Sequence, residues 1–267
     1  MKQKATYNPL FIAHRGAKRE APENTLTAFK QALTYPEIVG IELDVQLSKE
    51  EVPVLFHNKT LWKLLHQKKR INQYPLHELQ KIVLTSLNNS YQERVPTLRE
   101  ILKKTIHKTS LYIEIKTSST HTLTKDSQKL TDKVIEQLSL ITKAKKAQPF
   151  FILTFDRSVI QYAHALKPQW NYVLNVTEPK YLSPQDLKML PYLYGICTNI
   201  NKLTPAFAKK IKQQNKKLIT YTSNTNKQLQ HALECKTDII LTDDPAWLFQ
   251  SKTYLDFKSK NKGQKNE

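Results

Sequence analysis

The chain has 267 residues, 39% of them hydrophobic, and 42 Lys+Arg against 23 Asp+Glu give it a formal net charge of +19. That length suits one undivided α/β domain with a sizeable core, and no run approaches the ~20 apolar residues that a spanning helix requires. The charge attracts anions of every kind, but with only four Gly among so many Lys a solvated, lysine-rich surface explains it more simply than a dedicated polyanion site.

Leu10–His14 is a short apolar run ending in Arg15 and Gly16, the pattern of a buried strand meeting a loop. The N-terminal apolar stretch is too short for a signal peptide and runs straight into His14, so a cytoplasmic protein is expected. Asn24 or Thr25 serves as N-cap for the periodic LTAFKQAL, a helix expected to end near Tyr35. Residues 41–47 alternate strictly, with Glu42, Asp44 and Gln46 on one face and Ile41, Leu43, Val45 and Leu47 on the other. Residues two apart in a strand share a face, so both carboxylates emerge side by side, about 7 Å apart along the backbone. Residues 52–57, ending in His57, form a further strand with no room for a helix before it.

The stretches PLHELQKIVL and PTLREILKKTI each open on Pro and continue with helical spacing. LYIEIK, residues 111–116, is again a strand, with Glu114 and Lys116 on one face. A helix over 126–144, a strand over 150–155 and the helix Arg157–Leu166 follow. Strands over 172–176, 193–198, 218–221 and Ile239–Thr242 then alternate with helical segments. Such alternation predicts βαβ units and a parallel sheet, here a TIM (β/α)8 barrel. Nine strand candidates compete for eight places, and 52–57 and 172–176 have the weakest claims. Cys197 and Cys235 lack metal-type spacing and are expected as buried thiols in a reducing compartment. The domain is expected to span residues 1–250, with 251–267 a basic, disordered tail.

In a parallel barrel the active site lies at the C-terminal ends of the strands, where His14, Glu42, Asp44, His57, Glu114 and Lys116 all fall. Glu42, Asp44 and Glu114 form an all-oxygen set for a hard divalent cation, Mg²⁺ or Ca²⁺, between which the sequence does not choose. The competing reading is a salt-bridge network of Glu114 with Lys116 and Arg15. His14 and His57 bracket the first two acids and suit an acid/base pair near neutral pH. Arg15 and Lys116 place cations where a phosphate would lie. No Gly-rich nucleotide loop is present, so nucleotide-driven chemistry is not expected.

HRG, PENTLTAF, IELDVQLSKEEVPVLFH, PTLREIL, YIEIK and ILTDDP occur in that order over nearly the whole chain. Together they resemble the glycerophosphodiester phosphodiesterase family in its compact, cytoplasmic form. The resemblance implies a barrel related to the phosphatidylinositol-specific phospholipases C and metal-dependent hydrolysis of a small-molecule glycerophosphodiester to sn-glycerol 3-phosphate and an alcohol. It makes Glu42, Asp44 and Glu114 metal ligands, His14 and His57 the acid/base pair, and Arg15 and Lys116 phosphate contacts. Three positions depart from the family pattern: Asn58 where Asp is usual, Tyr221 where Trp is usual, and Glu50-Glu51 in a turn that usually holds Gly. Two alternatives are a lysophospholipase D, whose acyl groove would draw on Tyr194, Tyr221 and Trp247, and a non-catalytic binder of phosphodiesters or nucleic acid. No specific nucleic-acid partner is expected, a weak attraction to anionic membrane surfaces is, and the oligomeric state is left open.

Overall fold

Eight parallel strands close on themselves: β1 (Leu10–His14), β2 (Ile38–Leu47), β6 (Ser110–Ile115), β7 (Phe150–Thr154), β8 (Asn171–Val176), β9 (Gly195–Asn199), β10 (Lys217–Tyr221) and β11 (Ile239–Thr242). β1 pairs with β2 on one side and with β11 on the other, which completes the barrel. This is the expected TIM barrel. The remaining strands lie outside it: β3 (Pro53–Leu55) runs antiparallel along the end of β2, and β4 (Val83–Thr85) and β5 (Gln92–Arg94) form a hairpin. The computed structural model describes residues 7–87, 90–144 and 147–263.

Of the two doubtful strands, 52–57 is the one outside the barrel and 172–176 is a full member. Pro53 and the tight turn before it allow β3 only to fold back on β2, because a parallel neighbour needs a crossover of a dozen or more residues. At that turn Glu51 adopts a left-handed backbone (φ 60°), the conformation that the missing Gly would have taken without strain.

The core has three parts. Inside the barrel Ile12, Tyr112, Phe151, Leu153, Val173 and Ile219 pack together, and Tyr112 stacks on Phe151 at 4.4 Å. The outward residues of the same strands, among them Ile41, Leu43, Val45, Leu111 and Ile113, meet the helices in a larger cluster. Gly40 faces inward, where a Cβ would stand 2.6 Å from Ile12 Cδ1, so the barrel floor has room for Tyr112 only without a side chain there. A third cluster of Val54, Phe56, Leu61, Ile71, Tyr74, Leu79, Ile82, Leu84 and Val95 binds the segment between β2 and β6 into a cap.

The tail departs from expectation. Residues Lys252–Gly263 form a helix, and Tyr254 is buried edge-on against Phe11 and Phe249 at 5.6 and 5.1 Å. Its lysines masked an aromatic pair, Tyr254 and Phe257, spaced three apart on one helix face, and Phe257 meets the ring of Tyr7. Residues 264–267 lie outside the described residues. Cys197 and Cys235 are buried and unpaired, as expected. Among the described residues no helix is long and apolar enough to cross a membrane.

Candidate active site

Register brings the ionisable groups together. His14 lies beside Glu42 across β1–β2, and Asp44 beside Glu114 across β2–β6. Alternation turns His14, Glu42, Asp44 and Glu114 into the barrel, while Lys116 follows the end of β6 on the same face. His57 enters from the chain just beyond β3, where Phe56 N–H donates to Asp44 O at 3.1 Å. His14, Arg15, Glu42, His57, Glu114 and Lys116 line one cavity of about 80 Å³, with Phe155 and Tyr221 on its other wall.

The turn after β1 is built for close approach. Arg15 and Gly16 both have left-handed backbones (φ 61° and 79°), and a Cβ on Gly16 would lie 2.7 Å from the Cβ of Ala28 in the helix Leu26–Ala32. This bend sends the Arg15 N–H to Glu42, 3.0 Å from its carbonyl and 3.1 Å from its Oε2. The Arg15 guanidinium reaches Asp44 Oδ2 (3.1 Å) and Glu23 Oε2 (3.1 Å). Asn24, also left-handed, brackets Asp44: its Nδ2 donates to Oδ2 at 2.9 Å, and its Oδ1 accepts from the Asp44 N–H at 3.0 Å. Thr25, not Asn24, caps the helix.

Lys116 Nζ spans Glu114 Oε1 (2.7 Å) and Asp44 Oδ1 (3.3 Å), and Asn175 Nδ2 donates to Glu114 Oε2 at 3.1 Å. The ion-pair network therefore exists for Lys116, but Arg15 joins Asp44 and not Glu114. It leaves the site incomplete: Glu42 Oε1 and Asn175 Oδ1 are buried without a hydrogen-bond partner. One oxygen from each of Glu42, Asp44 and Glu114 lies within 4.8 Å of the others, a hard-oxygen set that fits a divalent cation. Burial, then the neighbouring charges of Asp44 and Glu114, pushes the Glu42 carboxyl well above the usual carboxylate range. Burial likewise raises Glu114. For Asp44 burial is outweighed by Arg15 and Lys116, which hold it below that range. A doubly positive ion among these acids would offset their mutual repulsion and give the Glu42 carboxylate a partner.

His14 and His57 have different supports. His14 Nδ1 is 2.6 Å from Asp243 Oδ1, and its Nε2 faces Glu42 Oε2 at 3.8 Å. Asp243 is itself held by Lys18 Nζ (2.9 Å) and by Asn224, whose Nδ2 donates to Oδ2 at 2.8 Å. Burial lowers His14 to about 4 against the opposing pull of Asp243, so at neutral pH the ring is uncharged, with Nδ1–H donated to the carboxylate and Nε2 free to accept. His57 Nδ1 stands 3.2 Å from Asn58 Oδ1, and burial lowers its pKa as well.

All seven residues singled out in the sequence thus meet at the barrel mouth. Asp243, Asn175 and Asn24 escaped that reading. Asp243 and Asn175 continue the inward alternations 239-241-243 and 173-175, a signal of period two that could have found both. Asn24 could not have been found so, because its role depends on a loop folding onto β2. Of the three aromatics considered for an acyl groove, only Tyr221 reaches the cavity. Tyr194 packs on Phe151 at the opposite end of the barrel, and Trp247 packs against the outer core.

Several relatives match most of this chain. A glycerophosphodiester phosphodiesterase of Caldanaerobacter subterraneus is 28% identical over 90% of this chain and 96% of its own. A phosphodiesterase of Oleispira antarctica, solved in complex with the product sn-glycerol-3-phosphate, superposes with a TM-score of 0.72 at 22% identity, covering 97% of both chains. A glycerophosphodiester phosphodiesterase of Thermotoga maritima gives 0.70 at 21% identity over 96% of this chain and all of that one. The family model described as "Glycerophosphoryl diester phosphodiesterase family" matches residues 14–247, from the first of the two histidines to the helix after β11, and the chain belongs to that family.

Proposed function

We propose that the protein hydrolyses glycerophosphodiesters to sn-glycerol 3-phosphate and an alcohol, with His14 and His57 as acid/base pair and with Glu42, Asp44 and Glu114 holding a divalent cation, Mg²⁺ or Ca²⁺. The observation that carries this reading is one cavity lined by His14, His57, Glu42 and Glu114, with Asp44 completing the three-carboxylate cluster beside it, in a chain of this family. The sn-glycerol-3-phosphate bound by the Oleispira antarctica relative supports the product assignment.

The bound cation would supply charge to offset that gathering on the phosphoryl oxygens. The chain's own residues do the rest. Arg15 and Lys116 draw the anionic diester into the mouth and orient it. His14, its Nδ1 proton committed to Asp243, uses Nε2 to take a proton from water as the new O–P bond forms, or from the neighbouring glycerol hydroxyl, in which case water opens the resulting cyclic phosphodiester in a second step to give glycerol 3-phosphate. His57 donates a proton to the departing alkoxide as the old P–O bond breaks. Phe155 and Tyr221 add aromatic surface to the cavity wall.

Purified protein is expected to release glycerol 3-phosphate from glycerophosphocholine and to lose that activity on exhaustive chelation and in Glu42→Ala. Restoration by Mg²⁺ and by Ca²⁺, compared in parallel, identifies the ion. Undiminished turnover after chelation would refute the metal assignment.

A further inference from the structure

The cap carries a loop that neither the barrel nor the proposed chemistry uses. Residues 59–70, KTLWKLLHQKKR, contain five Lys or Arg and no Asp or Glu. The neck of the loop is fixed: Thr60 bridges to Arg70, Ile71 N–H donates to Lys59 O at 3.2 Å, and Leu61 and Ile71 are buried in the cap core. Between those anchors every residue from 62 to 70 is exposed. The turn of helix Trp62–Leu65 buries none of its residues, and Trp62, Leu64 and Leu65 are 48%, 44% and 46% exposed.

One helical turn gains little from its own hydrogen bonds and normally persists by burying an apolar face. This turn is three-quarters apolar and faces solvent. Lys63 sits within it, and Lys68, Lys69 and Arg70 follow, with Lys68 Nζ 5.7 Å from the Trp62 ring. An indole and two leucines beside a cluster of flexible cations match the order of groups across a lipid interface. There Trp favours the head-group level, leucines enter the acyl boundary, and lysines keep their heads among phosphates.

The loop also stands at the barrel mouth. It leaves the chain one residue after Asn58, and Lys59 and Arg70 line a cavity together with Lys116, which also lines the catalytic one. We propose that residues 59–70 dock on an anionic bilayer surface and hold the mouth of the barrel against it. Charge complementarity selects this occupant: the segment is wholly cationic around its apolar tip, which suits anionic head groups over a neutral or basic protein surface.

The full-length protein, without substrate, is to be co-floated with vesicles of phosphatidylcholine alone and with vesicles containing phosphatidylglycerol, and Trp fluorescence is to be read against brominated lipid. Binding is expected on the anionic vesicles, with quenching that disappears in Trp62→Phe. The triple variant Trp62→Ser, Leu64→Ser, Leu65→Ser should bind at least about tenfold more weakly while keeping wild-type hydrolysis of soluble glycerophosphocholine. Unchanged vesicle binding of the triple variant would assign the attraction to the general +19 charge and overturn the proposal. Two other results would overturn it too: equal binding to neutral vesicles, or a Trp62-dependent dimer by sedimentation in place of lipid binding. Because vesicle binding is read without turnover, its failure would leave the hydrolase reading untouched.

Discussion

The two sides of the barrel mouth solve the placement of a histidine differently. His14 ends a barrel strand, has 13% of its side chain exposed, and is gripped by Asp243 from 229 residues away, with Lys18 and Asn224 fixing that carboxylate in turn. His57 stands just past β3 in the cap, half-buried, and its nearest support is the amide of the next residue, Asn58. One is held by closure of the barrel, the other by local chain. The proton acceptor assigned to His14 needs a defined tautomer, which a carboxylate on Nδ1 supplies, whereas a proton donor at His57 needs mainly to stay protonated.

Removing either ring breaks the comparison outright. His14→Ala and His57→Ala are each expected to lower kcat for glycerophosphocholine by about 10²–10⁴-fold, the usual worth of a positioned acid or base. A variant retaining near-wild-type turnover would exclude that residue from proton transfer. Asp243→Asn tests the grip on His14 alone. Loss of the carboxylate should cost on the order of 10²-fold in kcat without a comparable change in KM. The wild-type kcat/KM should rise as pH rises through about 4, since the proposed base is the neutral His14 ring. Asp243 opposes the downward shift, so Asp243→Asn should move that rising limb to still lower pH.

The smallest effect belongs to the other side. Asn58→Asp puts a carboxylate beside His57 and raises its pKa, which burial now holds below the ordinary 6.5. The acid must be protonated, so the falling limb of the pH profile should shift upward, with a change in maximal rate below about tenfold. A falling limb that stays in place would separate His57 from the acid role.

His14, Glu42, Asp44 and Glu114 were legible because a strand's period of two states which side chains share a face, and a carboxylate on the face away from the apolar layer has few places to go. Arg15 was legible only as a neighbour of His14: its pairing with Asp44 and Glu23 follows from the left-handed bend at residues 15 and 16. The tail shows the opposite error. Lysine content obscured Tyr254 and Phe257, because an average over composition discards the spacing that buries one face.

The barrel as a repeating strand–helix pattern, the inward faces of its strands and the seven residues that meet at its mouth were legible in the sequence alone, since six of the seven rest on periodicity within a few residues and Arg15 on adjacency to His14. Which strand stays outside the barrel, which carboxylate grips His14, and which oxygens are left without partners were decided only by tertiary structure. Those depend on register and on the closure of β1 against β11, and local periodicity carries no information about a neighbour more than two hundred residues away.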